Sequence, residues 1–120
     1  MIKYKMIAVD IDGTLLNSQG FLTDKTRAAM LAAVKAGVIF TICTGRPLQG
    51  VRQFNDLFDR DLPFILYNGA LVTMGKSLRC LFNCCLKPDD ARRIFEQGVL
   101  RGTTQAVWAL LPPITIQTGS

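Results

Sequence analysis

The sequence has no histidine, no long apolar run and no run of basic residues. Without a long apolar run it has no segment that would span a membrane. Asp10 and Asp12 interrupt the apolar start of the chain, which therefore has no secretory signal pattern. The net charge of +5 comes from lysine and arginine residues scattered along 120 residues. We therefore predict one small cytoplasmic domain and expect no nucleic-acid or membrane partner.

The cysteines are the next feature that restricts function. The chain has four, Cys43, Cys80, Cys84 and Cys85. Since histidine is absent, and since the spacing from Cys80 to Cys85 fits no common zinc pattern, we predict structural thiols rather than a metal site. In a cytoplasmic protein they are expected to be reduced. Cys43 lies in an apolar predicted strand and is predicted to be a small core residue.

The order of apolar and polar segments predicts an α/β fold with parallel strands. The predicted strands lie near 4–9, 38–43 and 64–67, the helices near 24–36 and 47–58, a hairpin at 71–74 and 77–82, and a last helix at 88–97. The first helix has the clearest boundaries. Thr23 is a plausible N-cap, Asp24 suits the first turn, and Gly37 suits the position after the last turn. Its predicted apolar face contains Ala28, Leu31, Ala32 and Val34, with Met30 adding bulk.

Two acidic residues follow the first predicted strand directly. Asp10 stands where the strand ends, and Asp12 and Gly13 come just after it. Ligands of open α/β sheets bind outside the carboxyl ends of the strands. Two neighbouring carboxylates there repel each other and lose hydration unless a cation lies between them. The pattern indicates a Mg²⁺ site that serves a phosphate, and the alternative is a solvated Asp-Gly turn.

The stretch Asp10-Ile11-Asp12-Gly13-Thr14-Leu15 closely resembles motif I, Asp-x-Asp-Gly-Thr-Leu, of the haloacid dehalogenase-like (HAD) hydrolases. The resemblance implies that Asp10 is the nucleophile that accepts a phosphoryl group. It also implies that Asp12 protonates the leaving oxygen and then activates water. Asp10 and Asp12 are further implied as the metal site, the latter through its carbonyl oxygen, with Mg²⁺ as cofactor.

Two later loops extend the resemblance, each after a predicted strand. Thr44-Gly45-Arg46 resembles motif II, whose hydroxyl holds the phosphoryl group, and Gly45 and Arg46 are implied beside it as phosphate-binding residues. For Arg46 the alternative is that it orients a loop. Asn68-Gly69-Ala70 resembles the Cof-type (subclass IIB) branch, in which it leads into a cap domain. Asn68 and Gly69 are thereby implied as substrate-binding residues. From turn chemistry alone, Asn-Gly is equally typical of a hairpin turn.

The resemblance also implies a domain arrangement. Residues 1–70 would form the N-terminal part of a Rossmann-like, three-layer HAD core, residues 71–97 the start of an α/β cap, and residues 98–120 a divergent tail. The motif III lysine and the Gly-Asp-x-x-Asn-Asp run of motif IV do not occur. We therefore expect a truncated or frameshifted HAD chain. Its first strand would be an exposed apolar edge, open to self-association.

The function implied is a Mg²⁺-dependent phosphatase that acts on small phosphate monoesters such as sugar phosphates through an aspartyl-phosphate intermediate. One alternative is an inactive fragment or a non-enzymatic domain that requires a partner, as the missing motifs suggest. A second alternative is a phosphomutase, which motif I does not exclude. Because charge compensation near the phosphate should come largely from the missing motifs, we expect little or no turnover from this chain.

Overall fold

The computed structural model of the chain describes residues 3–102, and its main feature is one mixed β-sheet. The strands are β1 (Met6–Val9), β2 (Ile39–Cys43), β3 (Pro63–Leu66), β4 (Leu71–Met74) and β5 (Cys80–Asn83). They lie side by side in chain order. β1, β2 and β3 are parallel, whereas β4 and β5 continue the sheet in antiparallel pairing. The predicted α/β class, the parallel strands and the hairpin are therefore confirmed.

The helix α1 (Asp24–Lys35) connects β1 to β2, as predicted. The hydroxyl oxygen of Thr23 accepts a hydrogen bond from the backbone N–H of Thr26 at 3.3 Å, which caps the first turn. Met30 and Val34 are buried, and α1 packs against β2. Leu31 is 41% exposed, and the side chains of Ala28 and Ala32 are exposed too. The apolar face was therefore predicted too wide, because only one side of the helix meets the sheet.

A 3₁₀ segment, Leu48–Leu57, connects β2 to β3 in place of an ordinary α-helix. Its buried side chains are Leu48, Val51 and Phe54, which recur every three residues. A 3₁₀ helix has three residues per turn, so this spacing places all of them on one face. The ring of Phe58, just after the segment, lies 5.6 Å from that of Phe40 in β2. The segment therefore covers the face of the sheet that carries Phe40.

The core lies on one face of the sheet. Strand register aligns Phe64 and Leu66 with Thr73 and Leu71, and all of these side chains are buried. The opposite face carries exposed apolar side chains on three strands. These are Met6 (52% exposed) on β1, Ile39 (42%) on β2 and Phe82 (54%) on β5. Among the described strands, β1 and β5 are the two edges of the sheet, β1 as predicted, and Ile7 of β1 is also 39% exposed.

The chain divides into two compact units, one ending at Asn83 and the other starting at Cys84. In the second unit, the helix α2 (Pro88–Leu100) extends beyond the predicted 88–97. Pro88 begins this helix and Asp89 lies in its first turn, where the helix dipole favours an acidic side chain. Most of the predicted tail, from residue 103 onward, lies outside the described residues, and the division at residue 70 stays a prediction. No helix within residues 3–102 is long and apolar enough to cross a membrane.

Candidate active site

Asp10 and Asp12 lie on a tight turn at the carboxyl end of β1. The backbone N–H of Leu15 donates to the carbonyl of Asp10 at 3.1 Å, and Gly13 adopts a φ of +76°, which favours glycine. The side chains of Ile11 and Leu15 are buried beneath the turn. These buried side chains fix the turn to the core, whereas Asp10 and Asp12 are exposed.

Arg46 binds the carboxylate of Asp12 with two hydrogen bonds. Its Nε donates to Asp12 Oδ2 at 2.8 Å and its Nη2 donates to Asp12 Oδ1 at 2.5 Å. The hydrogen bond from Arg46 holds the pKa of the Asp12 carboxyl below its usual range, and the same bond raises the pKa of Arg46. The expected repulsion between the two acidic residues is therefore offset by a cation that belongs to the chain.

Thr44 lies at the carboxyl end of β2 and is 5% exposed. Its backbone N–H donates to the carbonyl of Ile65 at 2.9 Å, which fixes it to β3. Its hydroxyl oxygen accepts a hydrogen bond from the backbone N–H of Arg46 at 3.1 Å. A hydroxyl has one proton to donate, and accepting this bond leaves that proton available for a substrate oxygen.

The Asn68 turn is joined to the Thr44 loop by main-chain hydrogen bonds. Tyr67 N–H donates to the carbonyl of Arg46 at 3.2 Å, and Asn68 N–H donates to the carbonyl of Thr44 at 3.0 Å. Asn68 has a φ of +54°, and a Cβ added to Gly45 would lie 2.9 Å from its side-chain Oδ1. Gly45 therefore makes room for the Asn68 side chain. The turn also connects the antiparallel strands β3 and β4, so it is a hairpin turn that lies at the candidate site.

A cleft of about 460 Å³ lies where these loops meet. It is lined by Asp10, Cys43, Thr44, Gly45, Ile65, Asn68 and Gly69. The prediction that Cys43 is a core residue was wrong, because its side chain is exposed. Cys43 is the last residue of β2 and is in register with Ile65, on the face of the sheet opposite the core. Phe40, Thr41 and Ile42 of β2 are all buried, and the nearly continuous apolar run gave no signal that set Cys43 apart.

Of the two acidic residues in the site, Asp10 is the one whose carboxylate has no paired cation among the described residues. The one ion pair within residues 3–102 joins Arg46 to Asp12, so no cation of the described chain is paired with Asp10. The same residues contain no group of three acidic, cysteine or histidine side chains placed to hold a metal. Mg²⁺ is commonly bound by one or two carboxylates, with substrate phosphate and water completing its shell. The donors present, with Asp10 first among them, fit such a partial site.

Known proteins are similar to this chain in sequence. A family model of haloacid dehalogenase-like hydrolases matches residues 7–109. The Bacillus subtilis protein YxeH is 38% identical over 96 residues, which cover 78% of this chain and 36% of YxeH. The 5-amino-6-(5-phospho-D-ribitylamino)uracil phosphatase YwtE of Bacillus subtilis is 44% identical over 68 residues, which cover 57% of this chain and 23% of YwtE.

A solved structure supports the same relationship. The HAD subclass IIB sugar phosphatase BT4131 superposes with a TM-score of 0.63 and 26% identity, covering 82% of this chain and 38% of that protein. The chain thus spans about a third or less of the curated relatives that it matches, 36% of YxeH and 23% of YwtE. The match over residues 7–109 includes all three candidate loops, and the chain belongs to the haloacid dehalogenase-like hydrolases.

Proposed function

We propose that the chain carries the nucleophile end of a Mg²⁺-dependent phosphatase for small phosphate monoesters such as sugar phosphates. The observation that supports this most strongly is that Asp12 is paired with Arg46 whereas Asp10 has no such partner among the described residues. Asp10 lines the cleft with Thr44 and Asn68, whereas the carboxylate of Asp12 is held beside it by Arg46. The names of YwtE and BT4131 as phosphatases support the same reaction class. A cytoplasmic location stays a prediction from the sequence.

In the proposed reaction, a carboxylate oxygen of Asp10 attacks the phosphorus atom and the bond to the leaving oxygen breaks. Asp12 gives its proton to that oxygen, so that an alcohol leaves and an aspartyl phosphate remains. Water then attacks the phosphorus of the intermediate while the Asp12 carboxylate takes its proton. The Arg46 pair favours the ionised form of Asp12, which suits this second step. In the first step, one Asp12 oxygen would have to leave Arg46 to carry the proton.

The other residues of the cleft would bind rather than react. The Thr44 hydroxyl would donate to a phosphoryl oxygen, and the Asn68 amide would contact the substrate beyond it. Gly45 and Gly69 would allow the phosphate to approach the main chain closely. Bound at Asp10, Mg²⁺ would offset the negative charge of the phosphate.

The test is binding of beryllium trifluoride, which mimics a phosphoryl group on a carboxylate, measured by ¹⁹F NMR in the presence of Mg²⁺. We expect a bound signal in the wild-type chain that is absent in Asp10→Asn and present in Asp24→Asn, which alters an exposed aspartate in α1. Hydrolysis of p-nitrophenyl phosphate by the wild type should stay well below about 1 per second, an ordinary enzymatic turnover. Equal signals in the wild type and Asp10→Asn would contradict the proposal.

A partner-dependent role is the second candidate, and the exposed edge of the sheet supports it. Met6 and Ile7 of β1 are 52% and 39% exposed, and an unpaired apolar edge strand is open to pairing with another chain. Sedimentation at increasing protein concentration tests this role, since reversible association is expected. A monomer at every concentration would contradict it.

A further inference from the structure

The side chain of Arg46 has every nitrogen engaged. Nε and Nη2 bind the two carboxylate oxygens of Asp12, and Nη1 donates to the carbonyl of Gly50 at 3.2 Å. We propose that Arg46 is a positioning residue that keeps the Asp12 carboxylate away from a cation bound at Asp10. The inference rests on the proposed function for that cation. It differs from the two roles expected from the sequence, phosphate binding or orienting a loop, because it acts through Asp12.

The main chain of Arg46 is also fixed on both sides. Its N–H donates to the hydroxyl oxygen of Thr44 at 3.1 Å, and its carbonyl accepts from the N–H of Tyr67 at 3.2 Å. The guanidinium therefore extends from a loop that β2 and β3 hold in place. Asp12, whose side chain is 60% exposed, lies on a turn at the outer strand of the sheet. Of this pair, Arg46 is the less exposed side chain, at 32% against 60%, and its contacts with both oxygens set where the Asp12 carboxylate lies.

Charge explains why such a residue is needed. Asp10 and Asp12 are close in sequence and both carboxylates are exposed, so a divalent cation would be drawn to both. A carboxylate that coordinates the metal is poorly placed to give and take protons. Because Arg46 occupies both oxygens of Asp12, the cation is left with the carboxylate of Asp10. A planar guanidinium suits this task, whereas the single ammonium of lysine does not bind both oxygens in the same parallel arrangement.

The test measures Mn²⁺ affinity by electron paramagnetic resonance of the free ion, so it requires no turnover. The variants are Asp12→Asn, Arg46→Ala, the double variant and Arg46→Lys. Arg52→Ala removes an exposed positive charge from the 3₁₀ segment and serves as the matched control for charge loss. Removing a group that orients a metal ligand commonly weakens metal affinity by roughly 10–100-fold, whereas removing Arg46, which would hold a carboxylate away from the metal, should strengthen it.

We expect Asp12→Asn alone to leave the affinity within about twofold of the wild type, because the Asp12 side chain is not a ligand there. Arg46→Ala should bind Mn²⁺ about tenfold more tightly by releasing that carboxylate, and the double variant should lose this gain. Arg46→Lys should also bind more tightly although it keeps the charge. Arg52→Ala should match the wild type.

Three results would overturn the inference while leaving the proposed function in place. The first is weaker Mn²⁺ binding in Asp12→Asn alone, and the second is no gain in Mn²⁺ affinity in Arg46→Ala. The third is wild-type affinity in Arg46→Lys, which would show that only the charge at position 46 affects Mn²⁺ binding. Failure of the proposed metal site has a different signature. It would appear as Mn²⁺ binding that Asp10→Asn leaves unchanged, or as no saturable binding in any variant, and either result overturns both proposals.

Discussion

β1 and β3 are both four-residue apolar strands of one sheet, yet they differ sharply in burial. Met6 and Ile7 of β1 are 52% and 39% exposed, whereas Phe64 and Leu66 of β3 are 2% and 0% exposed. β3 pairs with β2 on one side and β4 on the other, while β1 pairs with β2 alone among the described strands. Apolar composition therefore identifies a strand but does not show how deeply it is buried.

The residues of the candidate site also differ in how well the strands before them are buried. Thr44 and the Asn68 turn are held by hydrogen bonds between buried strands, whereas Asp10 and Asp12 follow the exposed edge strand. Arg46 connects the two regions, since its main chain belongs to the first and its side chain binds Asp12. The position of the acid/base candidate, the Asp12 carboxylate, thus depends on a residue held by the buried strands β2 and β3.

The largest loss of stability is expected when a side chain of the buried strand β3 is truncated. Phe64→Ala should lower the free energy of unfolding by about 3–5 kcal/mol, because a buried ring is replaced by a cavity. Met6→Ala should lower it by less than about 1 kcal/mol, since half of that side chain is already in water. Urea unfolding followed by circular dichroism measures both. Similar losses in the two variants would contradict the difference in burial.

A smaller loss of stability is expected where the Thr44 loop contacts the Asn68 turn. Gly45→Ala should lower the free energy of unfolding by about 1–3 kcal/mol, because the new Cβ would lie 2.9 Å from Asn68 Oδ1. Adding Asn68→Gly should recover most of this loss, since it removes the atoms that clash. Urea unfolding of both single variants and the double variant measures the coupling. Simple additivity would show that the loss has another origin.

A third prediction concerns Asp61, which lies before β3 and binds the turn between β4 and β5. Its Oδ1 accepts hydrogen bonds from the backbone N–H groups of Lys76 at 2.7 Å and Ser77 at 3.3 Å. Burial raises the pKa of the Asp61 carboxyl, but the side chain of Ser77, the two backbone N–H groups and the charge of Arg79 together outweigh it and leave that pKa below the ordinary value of 3.8. Asp61→Asn should therefore lower the free energy of unfolding at neutral pH by about 1 kcal/mol.

The sign of the pH dependence follows from the lowered pKa of Asp61. Its contribution is present above the unfolded value of 3.8 and is lost as the pH falls through the lower folded pKa. The difference between wild type and Asp61→Asn should therefore shrink as urea unfolding is measured at falling pH below that value. Asp59→Asn, in the same loop, is the matched control. A difference that grows in acid would contradict the assignment.

The smallest effect on stability is expected at the sheet edge. Met6→Lys should change the free energy of unfolding by no more than about 0.5 kcal/mol, because the side chain is largely in solvent. It should nevertheless weaken self-association, since a lysine on an edge strand opposes pairing with another chain. Sedimentation at increasing concentration measures this, and Leu31→Lys, at an exposed position of α1, is the control. Equal weakening by both variants would point to general solubility instead of the edge.

Much of the fold could be predicted because its signals are local. The boundaries of α1 follow from Thr23, Asp24 and Gly37, and each strand is marked by its own apolar run. The grouping of Asp10, Thr44 and Asn68 could also be predicted, because parallel strands bring their carboxyl ends to one edge. The exposure of Cys43 and Leu31 could not be predicted in this way, since it depends on which face of the sheet the helices cover.

The sequence by itself determined the family, the strand ends and the acidic pair, because these lie in contiguous motifs whose chemistry is written in adjacent residues. Only the tertiary structure decided that Arg46 binds Asp12 and leaves Asp10 free for the cleft. That pairing joins residues 34 positions apart in the chain. It arises because β2 and β3 fix the Thr44 loop beside the turn after β1, a contact that no local pattern encodes.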